Sequence, residues 1–444
     1  MIQPWFTRAK LGIFVHWGLY SVDGVPESWC LWHDSVSQED YYGQAQRFTA
    51  AKYDPQHWAE VFERAGAKYA VLTTKHHDGF ALWPTKHRVE NSVQQTPASA
   101  ASCAKSGKSD LVGPYCQAMR DQGLKVGLYY SILDWSHPDY ASIRRDGDML
   151  DEHGGPAKPG HKLAECAPGQ QDYARWDTFC KFNEAQLREI TEGYKPDLLW
   201  FDGDWERTAE QWRARDLREK LHQWSPEVVI NSRLQGYGDY QTPEQGVPIT
   251  RPDGPWEWCV TVNDSWGYQK GDTNHKSTRQ IVRMFCDCIS KGGNMLLDVG
   301  PFEDGTLQPE QEQRLLELGD WIRPRSEAIY DTTDGLPNGL YHGGSTLSED
   351  RQTLYLFEYN RPWDQIKLQG IHNKPRKISI LGGPCAGREL TWKAVGGAVW
   401  LNIPGNLWID VPEEACDPLA TCIKIEFDKP LDLYAGSGQA ISQN

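Results

Sequence analysis

Residues 197–203 read DLLWFDG, a short apolar run with one acidic side chain at its end and a glycine directly after it. Such a run is typical of a strand that is buried on both faces of a parallel sheet. Amphipathic, helix-like stretches lie on either side of it, at KFNEAQLREITEGY and AEQWRARDLREKLHQW. The stretch therefore predicts an alternation of strands and helices in which Asp202 stands at the carboxyl end of a strand.

The same pattern recurs along the first three quarters of the chain. The predicted strands are 11–18, 68–77, 125–133, 197–203, 228–233, 257–264 and 294–300. Helical patterns separate them, and several end at glycine, as helix C-termini commonly do. No GxGxxG follows any of the strands, which disfavours a dinucleotide-binding open sheet. Seven or eight such units predict an α/β fold, a TIM-like (β/α)8 barrel over residues 1–330.

After about Pro324 the pattern changes to short alternating runs such as TLYLFEY, KISILGG and CIKIEF, separated by Gly, Pro and Asn. These runs predict a C-terminal β-sandwich over residues 331–436. Two segments interrupt the barrel pattern, Gln94–Lys108 and Ser136–Asp172, and are predicted to be long surface loops. Residues 437–444 are predicted to be a disordered tail.

Composition narrows the classes of partner. Lys and Arg number 46 against 61 Asp and Glu, a net charge of −15, which disfavours binding to a nucleic-acid backbone. No apolar run approaches the ~20 residues of a membrane span. Eleven Cys occur without a CxxC motif, so they are interpreted as buried thiols. The 20 Trp and 19 Tyr favour a ligand with apolar faces and polar edges, such as a sugar.

The N-terminal residues show no signal-peptide pattern, so a cytoplasmic location is the default expectation. A secreted or periplasmic location would follow if a leader had been removed. The sequence leaves homo-oligomerisation open, and no cofactor is expected.

Catalytic groups of such barrels lie at the carboxyl ends of the strands and in the loops that follow. Here those ends are polar: they carry His16, Trp17, His76, His77, Asp78, Tyr129, Tyr130, Asp134, Asp202, Asp204, Arg233, Glu244, Asp264 and Trp266. A metal-dependent hydrolase is one interpretation, but HxH, HExxH and HxxxH are all absent, and neighbouring strand residues point to opposite faces. The imidazoles are therefore interpreted as partners of sugar hydroxyls, and no metal is expected.

The other interpretation is hydrolysis of a glycosidic bond by two carboxyl groups. Asp202 is the predicted nucleophile, since it ends a buried strand with Trp200 on the same face. Glu244 is the preferred acid because it follows the fifth strand at the catalytic end. Glu257 is the alternative, although it begins the sixth strand and should lie near the opposite rim, and Glu27 is a third candidate.

Seven motifs in order, HWGLYSV, KHHDGFALW, GLYYSILDW, LWFDGDW, INSR, SWGY and GGNMLLDVGP, resemble those of the α-L-fucosidases of glycoside hydrolase family 29. The resemblance implies a retaining exo-enzyme that removes terminal α-L-fucose from fucosylated oligosaccharides or glycoconjugates. It implies a covalent fucosyl intermediate on Asp202, with the two carboxyl groups ~5 Å apart. The residues that it implies around the sugar are His16, His76, His77, Tyr130, Trp200 and Arg233, with Trp266 near the sugar methyl.

The chain departs from the resemblance in its first loop. Many relatives have Glu followed directly by Trp, whereas this chain reads Glu27, Ser28, Trp29. Trp29 is expected to keep its stacking role, but the carboxylate contact to the sugar is not carried over. The alternatives are a related glycosidase acting on α-L-galactosides, which bear one more hydroxyl, and a fucose-binding protein with little turnover.

Overall fold

The computed structural model describes residues 2–89, 101–146, 162–360 and 365–436. Its first sheet has seven parallel strands in the order β5-β4-β3-β2-β1-β7-β6. They are β1 Leu11–Val15, β2 Tyr69–Lys75, β3 Lys125–Ser131, β4 Leu198–Asp202, β5 Val229–Ile230, β6 Glu257–Thr261 and β7 Asn294–Val299. All seven predicted strands are confirmed, with narrower bounds. The predicted parallel α/β architecture is thus present as a curled sheet.

The helices in the described residues are α1 Pro4–Ala9, α2 Tyr20–Asp23, α3 Trp29–Trp32, α4 Gln38–Gly43, α5 Pro55–Arg64, α6 Val112–Asp121, α7 Tyr173–Tyr194, α8 Ala209–Trp212, α9 Ala214–Trp224, α10 Thr278–Ser290 and α11 Pro309–Ile322. Short 3-10 helices occupy Gln44–Gln46, Ser102–Ser106, Tyr140–Ser142, Asp204–Glu206, Arg323–Ala328, Val399–Leu401 and Glu413–Ala415. The helical pattern over 209–224 was predicted as one helix but forms two. Arg213 separates them with φ 55°, a left-handed conformation that ends α8.

Register fixes which side chains of the sheet face the same side. In the β3–β4 pair, Tyr129 lies opposite Trp200 and Ser131 lies opposite Asp202. Beyond β5, residues 240–244 make isolated parallel bridges to both neighbours. Tyr240 pairs with Asn231, and Glu244 pairs with Cys259 of β6. The segment that carries Glu244 is thereby fixed between β5 and β6.

The C-terminal part contains two antiparallel sheets, one in the order β12-β15-β10-β9-β8 and one in the order β11-β14-β13. Their strands are β8 Thr332–Asp334, β9 Gly344–Ser348, β10 Thr353–Glu358, β11 Gln365–Leu368, β12 Lys377–Leu381, β13 Trp392–Val395, β14 Asn406–Asp410 and β15 Thr421–Glu426. Alternate side chains of strand β10 pack into two different hydrophobic cores. Leu354 and Leu356 pack in the core between the two sheets, whereas Tyr355 and Phe357 join the core of the parallel-sheet region.

The structure describes residues 101–108 of the first interrupting segment and residues 136–146 and 162–172 of the second, and the rest of each lies outside the described residues. Lys105 and Gly169 are exposed, as in a surface loop, whereas part of the second segment is packed against the protein. Tyr140 and Ile143 are fully buried. The guanidinium of Arg207, also buried, donates to the carbonyls of Tyr140, Ile143 and Ala164. A buried guanidinium needs several acceptors, and the backbone of this segment supplies them. The predicted tail lies outside the described residues.

None of the helices in the described ranges combines the length and apolar character that crossing a bilayer requires.

Candidate active site

A cavity of about 120 Å³ opens at the carboxyl ends of the parallel strands. Its lining residues are Phe14, His16, Trp29, His76, Tyr129, Trp200, Asp202, Trp205, Arg233, Glu244, Cys259 and Trp266. Half of the polar strand-end residues therefore meet at one place, although they come from distant parts of the chain. The others are not among the lining residues: Trp17, His77, Asp78, Tyr130, Asp134, Asp204 and Asp264.

Asp202 ends β4 and is 8% exposed at the cavity. The hydroxyl of Tyr129 donates to its Oδ2 at 2.9 Å, and Nη1 of Arg233 donates to its Oδ1 at 2.9 Å. Burial alone would raise the pKa of Asp202, but the charge of Arg233, the neighbouring His77 and these hydrogen bonds outweigh it. The pKa is lowered as a result, so the carboxyl is ionised and available as a nucleophile.

Gly203 allows the chain to turn directly behind this carboxylate. It has φ 86°, and a Cβ at this position would lie 2.2 Å from Cγ of Leu133. A larger residue would be excluded both by conformation and by contact. The glycine that follows Asp202 in LWFDGD therefore allows the turn that leaves the Asp202 carboxylate at the cavity.

Arg233 joins the two predicted catalytic carboxylates. While its Nη1 contacts Asp202, its Nη2 lies 2.5 Å from Oε2 of Glu244. The guanidinium also lies 4.8 Å from the ring centre of Trp200, which forms the floor beneath it. The side chain of Glu244 is 40% exposed, whereas that of Asp202 is 12% exposed. One carboxylate is thus enclosed and the other stands at the mouth.

His16 and His76 line the cavity, and His77 lies beside it with its Nε2 3.7 Å from Oδ2 of Asp202; burial lowers the pKa of each. The value falls to about 3 for His16 and to about 4 for His77, and it falls well below the usual range for His76. Ser28 contacts Nδ1 of His76 at 2.6 Å, and Ser131 contacts Nδ1 of His77 at 2.7 Å. All three rings are neutral at physiological pH, and each has one nitrogen held by a protein partner.

The structure places Glu257 beneath the floor rather than at the cavity. Its side chain is fully buried and receives hydrogen bonds from Tyr69, Trp200 and Tyr240. Burial raises the pKa of Glu257 to about 7. With three protein donors around it and no exposed surface, this carboxyl cannot reach a leaving group. Its identification as an alternative acid is therefore wrong, and its contact with Trp200 indicates a structural role.

Tyr130, predicted to bind the sugar, faces away from the cavity. Its hydroxyl contacts Lys75, Asn183 and Gln186 behind the sheet. The preceding residue, Tyr129, lines the cavity instead. The reason is the alternation of the strand, which turns neighbouring side chains to opposite faces.

Glu27 also lies outside the cavity lining. It is 4% exposed, and the backbone N–H of Gly267 donates to it at 2.7 Å. Burial raises the pKa of Glu27 to about 7. The side chain therefore fixes the loop that carries Trp266. The following residues, Ser28 and Trp29, contact His76 and line the cavity respectively.

Sequence reasoning missed three lining residues, Phe14, Trp205 and Cys259, and it named Tyr129 at the end of its strand without giving it a part in sugar binding. Phe14 precedes His16 by two positions and so shares its face of β1, a signal that period-two alternation provides. The orientation of Tyr129 towards the cavity follows from the strand register, because it lies opposite Trp200. Trp205 follows β4 in a loop, and no pattern in the sequence fixes its direction.

Within the described ranges, no group of three or more His, Cys, Asp or Glu side chains is arranged to hold a metal ion.

Comparison with known proteins shows which family the chain resembles. The sequence model of the family described as Alpha-L-fucosidase matches residues 1–327. The tissue alpha-L-fucosidase of Bos taurus is 35% identical over 449 residues, which cover 93% of this chain and 87% of the relative.

Two solved structures extend the likeness to the fold. That of alpha-L-fucosidase isoenzyme 1 from Paenibacillus thiaminolyticus superposes with a TM-score of 0.80 at 31% identity, covering 96% of this chain and 98% of its own. The alpha-fucosidase of Thermotoga maritima, in complex with a mechanism based inhibitor, gives a TM-score of 0.72 at 28% identity and covers 95% and 96%.

Proposed function

Because the chain belongs to the α-L-fucosidase family of glycoside hydrolases, we propose that it removes terminal α-L-fucose from glycans with retention of configuration. The observation that carries this proposal is the arrangement of Asp202, Arg233 and Glu244 at one cavity. Two carboxylates in contact with one guanidinium are close neighbours. A narrow gap leaves no room for water between a nucleophile and an acid, as retention requires.

In the first step, a carboxylate oxygen of Asp202 attacks C1 of the sugar while the bond from C1 to the leaving oxygen breaks. The carboxyl of Glu244 gives its proton to that oxygen. The enclosed, ionised state of Asp202 suits attack, and the exposed position of Glu244 suits contact with a departing glycan.

In the second step, Glu244 takes a proton from water as the water oxygen attacks C1 and releases Asp202. Donation in the first step needs a Glu244 carboxyl that faces the leaving oxygen, whereas its Oε2 is held by Nη2 of Arg233. The entering sugar must therefore separate the pair. Arg233 then retains its contact with Asp202.

The remaining lining supports a deoxysugar. His16, His76 and Tyr129 offer polar edges to the ring hydroxyls, and Trp29 stands at the rim as a stacking surface. Phe14 and Trp266, with ring centres 6.2 Å apart, supply an apolar wall for the methyl group of fucose.

We also infer that residues 240–244 complete the ring of strands. The bridges of this segment to Asn231 on one side and to Cys259 on the other support a closed barrel. Closure at this point would hold the backbone of Glu244 as firmly as a strand and would explain its position beside Arg233.

The proposal is tested by measuring hydrolysis of an aryl α-L-fucoside and the matching α-L-galactoside side by side. We expect a preference for the fucoside of about 100-fold at most, since an apolar pocket rejects an added hydroxyl weakly. Equal or faster hydrolysis of the galactoside would establish the alternative substrate. Tight binding of fucose without hydrolysis of either compound would establish a binding protein.

A further inference from the structure

One buried carboxyl beside the cavity has no part in the proposed reaction. Asp298, on β7, is fully buried, and its Oδ1 lies 2.5 Å from Nδ1 of His16. Its Oδ2 is also buried and has no hydrogen-bond partner among the described residues. Asp298 pairs in register with Phe14, which precedes His16 by two positions on the same face. The carboxyl therefore stands directly behind a ring that lines the cavity.

The surroundings of Asp298 do not favour a carboxylate. A buried carboxylate needs donors to both oxygens, and Oδ2 has none in the described residues. Lys276 is the nearby cation, but its ammonium donates to the carbonyl of Asn263 at 2.9 Å. Burial and then the charge of Glu27 raise the pKa of Asp298 well above its usual range, and the opposing effect of Lys276 is smaller. Tyr20 is a further titratable group near this carboxyl, and its hydroxyl contacts Thr73.

The surroundings of His16 do not favour an imidazolium either. Burial is the largest influence on its pKa, and His77 and Arg233 lower it further. Asp202 acts in the opposite direction but does not outweigh them, and the His76 ring lies 6.0 Å away without a charge. Both members of the pair are therefore neutral, with the proton on the carboxyl.

We propose that the protonated carboxyl of Asp298 donates a hydrogen bond to Nδ1 of His16, which leaves the ring hydrogen on Nε2 as a hydrogen-bond donor in the cavity. A neutral imidazole has one N–H, so acceptance at Nδ1 places the hydrogen on Nε2. A carboxylate at Asp298 would have the opposite effect, because it would take Nδ1–H and leave Nε2 as an acceptor. Asp298 is thus a positioning residue that sets the polarity of His16.

The hydrogen-bonding polarity of His16 changes at high pH. When the pair loses its proton, the hydrogen of the ring moves to Nδ1 and Nε2 becomes an acceptor. A sugar oxygen that had accepted from Nε2–H would then lose this contact. That the cavity holds a sugar rests on the proposed function, whereas the tautomer of His16 does not.

The tautomer is measured by ¹⁵N NMR of the full chain with labelled histidine, the His16 signals being assigned by their loss in His16→Gln. We expect an Nε2–H tautomer at neutral pH and conversion to Nδ1–H as the pH rises. In Asp298→Asn the tautomer should not change with pH, because an amide does not ionise. An Nδ1–H tautomer or an imidazolium at neutral pH in the unmodified protein would overturn the proposal.

A second measurement follows the affinity for L-fucose against pH. Asp298→Leu should weaken it about tenfold at neutral pH, the loss expected for one hydrogen bond. The affinity of the unmodified protein relative to Asp298→Asn should fall at alkaline pH. Asp350→Asn, which changes an exposed carboxyl in the turn between β9 and β10, is the matched control and should follow the unmodified protein.

Parallel pH profiles for the unmodified protein and Asp298→Asn would contradict the proposal. Absence of any fucose binding by the unmodified protein would instead refute the proposed function and leave the NMR result to decide the tautomer.

Discussion

The hydroxyl of Tyr129 donates to Oδ2 of Asp202 at 2.9 Å, while the adjacent Tyr130 points behind the sheet. The bond from Tyr129 lowers the pKa of Asp202. In Tyr129→Phe we therefore expect this pKa to rise, so that the acidic limb of kcat/KM moves to higher pH. The loss at neutral pH should be about tenfold, the value of one hydrogen bond to a charged group.

Tyr130→Phe is the matched control, because it removes the same atom from the other face. It should leave the pH profile in place and lower the free energy of unfolding by about 1–3 kcal/mol, since Lys75, Asn183 and Gln186 lose a buried partner. A shifted profile in Tyr130→Phe with an unchanged one in Tyr129→Phe would reverse the assignment of the two faces.

The stereochemistry of azide rescue distinguishes the role of Glu244 from that of Asp202. Replacement of either residue by Gly should lower turnover of an aryl fucoside by more than about 10³-fold. Added azide can occupy the vacated space. With Asp202→Gly it should attack C1 directly and give the inverted fucosyl azide. With Glu244→Gly, Asp202 still attacks first, so the product should retain its configuration.

Glu257→Gln serves as the control for Glu244 and should need no azide for turnover. The same azide product from both Gly variants would show that the two carboxylates do not have separate roles.

Arg233 contacts both carboxylates through two nitrogens of its planar guanidinium. Lysine would keep the charge but offer a single ammonium, which cannot reach both partners in this geometry. We expect Arg233→Lys to lower kcat/KM by about 10- to 100-fold, the value of one or two charge-assisted hydrogen bonds. The crystal structure of the variant would show whether Glu244 has moved from the cavity mouth. Full activity would mean that the bridge is dispensable.

Stability should respond to pH through Glu257. Its pKa is about 7 in the folded protein, above the ordinary value of 4.5, because burial disfavours the ionised form. Between these values the folded state holds a proton that the unfolded state has lost, so its contribution to stability declines as pH rises from about 4.5 to about 7.

Glu257→Gln cannot ionise and should make the decline in unfolding free energy over this window less steep. Denaturant titrations at several pH values provide the measurement. Identical slopes for both proteins would show that Glu257 does not carry the raised pKa.

Much of the fold follows from local pattern. Each buried apolar run such as LGIFV or DLLWFD became a parallel strand, because a segment apolar on both faces is stable only inside a sheet covered on both sides. Asp202 and Arg233 could be predicted to lie at the carboxyl ends of strands because they stand at the ends of such runs. The contact of the Arg233 guanidinium with both Asp202 and Glu244 could not be predicted from the sequence pattern, because it depends on the bridges made by residues 240–244.

The errors have physical causes as well. The choice between Tyr129 and Tyr130 depends on register with β4, which a single strand does not reveal. Glu257 was kept as an alternative acid although its place at the start of β6 indicated the opposite rim, and its three hydrogen-bonding partners, which come from other parts of the chain, could not be predicted from the sequence. The role of Arg207 in fixing the second interrupting segment depends on backbone carbonyls, which composition does not report.

The most direct test of the central claim is to trap the intermediate. The protein is incubated with a 2-deoxy-2-fluoro fucosyl fluoride, whose fluorine at C2 slows hydrolysis of the glycosyl–enzyme bond, and the digest is examined by mass spectrometry. The account predicts one fluorofucosyl group on the peptide that contains Asp202, and none in Asp202→Asn. Attachment to another carboxylate, or an inverted sugar product without any adduct, would contradict it.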